Sequence, residues 1–171
     1  VQELRWARAA VPIIPILPLI HNDDKKKIGE LLEAAPEDLK DLGKTDFIHL
    51  DPSRVKKWDA GVEEIIEAYE RSIASQPGPD ESGDWDFFIS HTQRNAQGQL
   101  IAEAMHTSLQ KRGLSAWLDV KMKDMNEAAM ERGVRNAKCV LAVITGPCVN
   151  PDQPSGKPEE NAYFGRPMCI K

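Results

Sequence analysis

The chain has 171 residues, of which 41% are hydrophobic and 29% charged, and its formal net charge is -5. This balance is typical of a globular protein, and the length suits one domain with a sizeable core. The 22 Lys and Arg are scattered among 27 Asp and Glu without a basic stripe, which argues against a nucleic-acid partner. The longest apolar run, 11–20, holds three prolines and is too short to cross a membrane, so no membrane partner is expected.

The three cysteines favour reduced thiols. Cys139, Cys148 and Cys169 are odd in number and lack the spacing of metal ligands. We therefore expect a cytoplasmic protein with neither a disulfide framework nor a metal site.

The first segment of the chain alternates helical and strand patterns. Residues 1–10 repeat apolar positions at helical spacing but have no capping residue, as in the second half of a helix whose beginning lies elsewhere. A strand is predicted over 13–16, a helix through Ile28, Leu31 and Leu32, and a second strand over 47–50. Ser53 is predicted to cap a long amphipathic helix from Trp58 to Ile73.

The second segment follows a linker rich in Pro, Gly and Ser and alternates again. The stretch 86–91, which reads DFFISH, predicts a buried strand that ends in a polar loop. A helix through 100–109 stops at Gly113 and precedes a strand over 114–120. A further helix is predicted to include Met130, Val134 and Ala137, a buried strand follows over 139–145, and the chain turns helical again from Glu159.

Five strands that alternate with helices predict an α/β fold. Right-handed crossovers place helices on both faces of such a parallel sheet, which gives a doubly wound, flavodoxin-like architecture. Ligands bind outside the carboxyl ends of the strands in these sheets. The polar loop after 86–91 is therefore a candidate binding loop, and a solvated loop is the alternative.

The second segment resembles a Toll/interleukin-1 receptor (TIR) domain. WDFFISHTQR resembles the family's first strand and the loop after it. LSAWLDVKM resembles the family's second strand, and CVLAVITGPC resembles its third strand. The first segment resembles the remainder of the same domain. QELRWARAAVPIIPIL resembles a helix of the family that leads into the fourth strand, and TDFIHLD resembles the fifth strand. In an ordinary TIR domain this half comes last.

The resemblance thus implies that the halves stand in circularly permuted order or come from a tandem TIR array. Residues 1–75 would be the C-terminal half, 76–84 the linker and 85–171 the N-terminal half. The linker is long enough for one chain to build a complete five-stranded sheet. Exchange between chains, with each sheet assembled from two protomers, is the alternative.

Glu3 is the leading catalytic candidate. By resemblance it matches the glutamate that acts on the ribose of NAD+ as nicotinamide leaves in catalytically active TIR domains. A carboxylate suits this reaction because departure of a cationic leaving group develops oxocarbenium character on the sugar. The alternative is a structural glutamate paired with Arg5, Arg8 or a lysine, as in TIR domains that only signal.

Four further residues are candidates for binding the substrate. Trp117 and Asp119 resemble the family's Trp-Leu-Asp triplet, and the tryptophan could stack on a nucleotide ring or serve as a core aromatic. Arg94 could hold a phosphate, and His91 could orient a ribose hydroxyl or cap its loop.

Three positions depart from the family pattern. Asn126 and Glu127 stand where TIR domains often have glycine in the BB loop, and Met168 replaces the tryptophan of Trp-x-x-x-Glu.

The resemblance implies an NAD+ nucleosidase or nucleotide-processing domain in immune or stress signalling. It takes NAD+ as a substrate with no bound cofactor, and its activity depends on self-association, because a second subunit's BB loop closes over the nucleotide in such active sites. Its partners would be other TIR domains, in a homo-oligomer or a domain-swapped assembly. The alternative is a signalling or scaffold module that only makes homotypic TIR contacts.

Overall fold

A computed structural model describes residues 2–19, 24–75, 84–118, 127–149 and 156–165. These residues form one sheet of five parallel strands, to which both segments of the chain contribute. The strands are β1 (Ile13–Pro18), β2 (Ile48–Leu50), β3 (Trp85–Ser90), β4 (Ala116–Leu118) and β5 (Ala137–Val143). The α-helices are α1 (Gln2–Arg8), α2 (Ile28–Glu33), α3 (Val55–Ala74), α4 (Ala96–Lys111) and α5 (Glu127–Arg135). Short 3-10 helices span Asp24–Lys27, Glu37–Lys44 and Pro158–Asn161.

The strand order confirms the flavodoxin-like prediction. Across the sheet the order is β2-β1-β5-β3-β4, and every pairing is parallel. When the strands are counted from β3 and the count continues through β1, the order is that of the flavodoxin-like sheet, 2-1-3-4-5. The central position of β5 explains its continuous apolar run over 139–143.

Two proline residues lie inside β1 although it has a neighbour on each side. Leu19 donates its N–H to Leu50 of β2, so odd-numbered residues of β1 face β2 and even-numbered ones face β5. The ladder to β2 begins at Ile16, after Pro15, and the ladder to β5 ends at Ile16, before Pro18. Each missing N–H therefore falls beyond the end of the ladder to which it would have donated.

Side chains alternate along the strands into two cores, one on each face of the sheet. On β5, Cys139 and Leu141 pack under α3 and α4, whereas Val140 and Ala142 pack under α1 and α5. On α3 the predicted apolar stripe forms the cover of the first core. Its fully or largely buried members are Val62, Ile65 and Tyr69, and its partly buried members are Trp58, Ile66 and Ile73.

Two local predictions need correction, and a third is not tested. Ala137 begins β5 instead of ending a helix, because α5 stops at Arg135 and Asn136 makes the turn. The N-cap of α3 is Arg54, without a side-chain hydrogen bond, whereas Ser53 donates its N–H to Asp51 in the preceding turn. The predicted linker, apart from Asp84, lies outside the described residues.

Candidate functional site

Polar side chains are buried where β3 ends. Ser90 closes the strand, and His91 and Thr92 follow it with 7% and 2% of their surface exposed. The loop then leads into α4, whose N-cap Asn95 accepts the N–H of Gly98 at 2.9 Å. This cap fixes the direction of the helix and holds the loop against the carboxyl edge of the sheet.

Residues 156–165 cross the same edge. Tyr163 donates its N–H to the carbonyl of Thr145 just beyond β5, at 2.9 Å. Its hydroxyl is 2.6 Å from Ser90 Oγ in a buried hydrogen bond. Because Ser90 is the last residue of β3 and Thr145 lies just beyond β5, Tyr163 links the carboxyl ends of two adjacent strands.

A cavity of about 430 Å³ opens beside this link. It lies between α2, the N-terminus of α4 and the carboxyl ends of β1 and β5. Its walls are largely apolar and include Leu17, Leu31, Ile144 and Phe164. Sites for small organic molecules typically enclose about 300 to 1,000 Å³, so this cavity has the size of a ligand site.

Two hydroxyl groups at this edge are buried without a hydrogen-bond partner among the described residues. They belong to Thr92 and to Thr145, and Thr145 also lines the cavity. A buried polar group without a partner costs free energy, so such groups are rare in a part of a protein that serves stability alone.

Glu3 lies in the first turn of α1 with a partly exposed side chain. The next residue, Leu4, is fully buried in the cluster that contains Phe88 and Tyr163. Only residues 9–12 connect α1 to β1, so the helix runs antiparallel to the strand and its first turn is directed toward the carboxyl edge. Glu3 is not among the residues that line the cavity.

His91 and Arg94 lie in the loop between β3 and α4. The imidazole of His91 is buried, whereas Arg94 is exposed. Neither lines the cavity, although Asn95, which ends the loop, does. Their binding roles remain predictions.

Trp117 is a core residue of β4 with 5% of its surface exposed. Its indole stacks on Phe88, with ring centroids 4.5 Å apart and an interplanar angle of 12°. A Cβ atom added at Gly133 would lie 3.1 Å from the indole, so α5 also approaches it closely. One ring face is therefore already occupied, and stacking on a nucleotide remains a prediction. Asp119 lies outside the described residues, as do Asn126 and Met168.

The sequence interpretation missed Asn95, Thr145 and Tyr163 as members of this edge. Asn95 carried a usable signal, because an asparagine just before a helical pattern is a frequent N-cap. Thr145 and Tyr163 carried none, since their roles depend on contacts between distant parts of the chain.

Burial suppresses the acidity of both described cysteines, which are free thiols. It raises the pKa of Cys139 to about 12 and also raises the pKa of Cys148, so neither is a ready nucleophile at neutral pH. No group of three or more His, Cys, Asp or Glu within the described ranges could hold a metal ion. Among the described helices, none combines the length and the hydropathy needed to cross a bilayer.

Comparison with known proteins identifies part of the chain. Residues 87–165 match the family model of the TIR domain. Searches of curated proteins and of solved structures gave no significant match. The matched range contains the whole of α4, β4, α5 and β5 and the last four residues of β3. The segment 87–165, which supplies three of the five strands of the flavodoxin-like sheet, belongs to the TIR domain family.

Proposed function

We propose that this protein is a TIR-type NAD+ nucleosidase that cleaves the bond between nicotinamide and ribose. The observation that carries the proposal is the packing of α1 on the TIR-family segment. Leu4 and Ala7 are fully buried against the sheet face that includes Phe88 and Val140. This contact holds α1 on that face of the sheet. It supports the proposal because Glu3 lies in the first turn of α1, the turn directed toward the carboxyl edge.

Glu3 acts on the sugar in this proposal. As nicotinamide departs, positive charge develops on the ribose, and a carboxylate within reach stabilises or attacks that centre. His91 orients a ribose hydroxyl and Arg94 holds a phosphate from the loop after β3. Trp117 supports this edge through its stack on Phe88, and Asp119 completes the substrate-binding set that the resemblance implies.

Assembly is part of the proposed mechanism. TIR domains in general associate with one another, and the resemblance implies a nucleotide site that a second subunit closes. Nicotinamide release should therefore rise more steeply than in proportion to protein concentration. The two halves of the fold, 1–75 and 85–171, then act as one permuted domain or as halves exchanged between chains.

The test is nicotinamide release from NAD+, followed by chromatography. Glu3→Gln keeps the size of the side chain but removes its charge, and we expect it to reduce release by at least about a hundredfold. The matched control is Glu70→Gln, because Glu70 is exposed on α3, on the opposite face of the sheet. Its activity should equal that of the wild type.

A scaffold module without catalysis is the competing function. Absence of nicotinamide release at high protein concentration, with self-association still detected by light scattering, would favour the scaffold. Equal release by wild type and Glu3→Gln would instead remove Glu3 from the mechanism.

A further inference from the structure

The cavity between α2, α4 and the ends of β1 and β5 is separate from the candidate catalytic residues. None of the candidate residues within the described part of the chain lines the cavity, namely Glu3, His91, Arg94 and Trp117. Its apolar walls can enclose a flat ring, since Leu17, Leu31 and Phe164 contribute to them. The proposed NAD+ chemistry does not account for this cavity.

Polar groups enter the cavity from one side. Thr145 lines it with 5% of its surface exposed, and its hydroxyl has no partner among the described residues. A change of χ1 rotamer would move the hydroxyl from its buried position to the one now held by the methyl or by the Cβ hydrogen, where a bound polar group could satisfy it. Gln97 lies in the first turn of α4 and lines the cavity beside Thr145. The first N–H groups of a helix have no acceptor within the helix, so this turn can donate to a ligand. Asn95 also lines the cavity; its side-chain oxygen caps α4 and its amide nitrogen donates to the carbonyl of Gly146 at 3.3 Å, which leaves the second N–H of that nitrogen for a ligand.

The charged side chains around the cavity disfavour the binding of an anionic ligand. Among the described residues that line the cavity, Glu30 and Glu159 contribute two carboxylates and Lys27 contributes one ammonium group. A phosphate would be repelled by this balance, whereas sugar hydroxyls can donate to carboxylates.

We propose that this cavity binds a neutral nucleoside. The base lies between the apolar walls and reaches the amide of Gln97, the second N–H of the Asn95 amide and the hydroxyl of Thr145. The ribose hydroxyls face Glu30 and Glu159 at the rim. This proposal does not depend on NAD+ cleavage by the protein.

Isothermal titration of the full chain with adenosine and with adenosine monophosphate tests the proposal. Adenosine should bind saturably, and the monophosphate should bind at least about tenfold more weakly because of like-charge repulsion. Thr145→Val retains the side-chain shape but removes the hydroxyl, and should weaken adenosine binding about fivefold.

Ala34→Trp is designed to fill the cavity without disturbing a core. Ala34 lines the cavity but is exposed, so the variant should fold normally and bind adenosine at least about tenfold more weakly. Ala60→Trp, at an exposed position of α3, is the matched control and should bind like the wild type.

Glu3→Gln separates this site from the proposed catalytic one, because it should bind adenosine as the wild type does. No binding of adenosine, undiminished binding in Ala34→Trp, or equal affinity for the monophosphate would each overturn the proposal.

Discussion

The polar groups at the two ends of β3 differ in whether they have hydrogen-bond partners. At the amino end, the carboxylate of Asp86 accepts hydrogen bonds from Tyr69, Ser115 and Lys138 at 2.8 to 3.0 Å. At the carboxyl end, the hydroxyls of Thr92 and Thr145 have no partner among the described residues. A fully satisfied network rigidifies a fold, whereas partly satisfied polar groups are costly and mark an end that can bind a ligand.

Removal of the carboxylate at the amino end should have the largest effect on stability. Asp86→Ala leaves four partly buried donor groups on three residues without their acceptor, and we expect the free energy of unfolding to fall by about 3 kcal/mol. Urea denaturation followed by circular dichroism measures the change. Asp84→Ala is the control, because Asp84 is exposed and accepts only a surface hydrogen bond from Asn136. An equal loss in both variants would contradict the assigned role of the network.

Acid should weaken the same network, by less than Asp86→Ala does. Burial alone would raise the pKa of Asp86, but the hydrogen bonds from Ser115, Lys138 and Tyr69 outweigh it and hold the pKa below its usual range. A depressed folded pKa contributes stability above the unfolded pKa, and this stability is lost as the pH falls through the folded value.

The stability of wild type and Asp86→Asn should therefore converge on acidification. Urea midpoints of both proteins between about pH 7 and about pH 3 measure the convergence. A constant difference across this range would show that Asp86 does not titrate as the network requires.

The hydrogen bond between Ser90 and Tyr163 should contribute less to stability than the network around Asp86 does. Tyr163→Phe leaves the Ser90 hydroxyl buried without this partner, and the free energy of unfolding should fall by about 1 to 2 kcal/mol. Ser90→Ala should cost a similar amount. Because the two side chains share one bond, the double variant should cost less than the two single losses together. Full additivity would mean that the two groups stabilise the fold independently.

Thr145→Val should have the smallest effect on the free energy of unfolding, and this effect should be of the opposite sign. The substitution removes a buried hydroxyl that has no described partner, so the unfolding free energy should stay constant or rise by up to about 1 kcal/mol. Thr107→Val is the matched control, because the Thr107 hydroxyl donates to the carbonyl of Glu103 at 3.0 Å. A clear loss of stability in Thr145→Val alone would show that its hydroxyl is satisfied in solution.

Local sequence patterns predicted most of the secondary structure. Strands β3 and β5 contain the apolar runs 87–89 and 139–143, and the stripe on α3 repeats at helical spacing, so each of these signals lies within a single element. Boundaries were less predictable. Ala137 suits a helix as well as a strand, and only its pairing with Trp85 on β3 assigns it to β5.

The candidate site was predictable only in part. The polar loop after 86–91 was placed at the carboxyl edge because parallel sheets bind ligands there. The role of Trp117 at that edge remains a prediction, since its stack on Phe88 also explains its burial. The cavity was not predicted, because α2, α4, β1 and β5 each contribute only one side of it.

The sequence by itself determined the alternation of strands and helices and the TIR-family character of residues 87–165. Only the tertiary structure decided which strands are neighbours and where the two halves meet. Ser90 and Tyr163 are 73 positions apart, and β1 pairs with β5 across most of the chain. Such contacts depend on the loop closures and packing of the whole domain, which no local pattern of residues encodes.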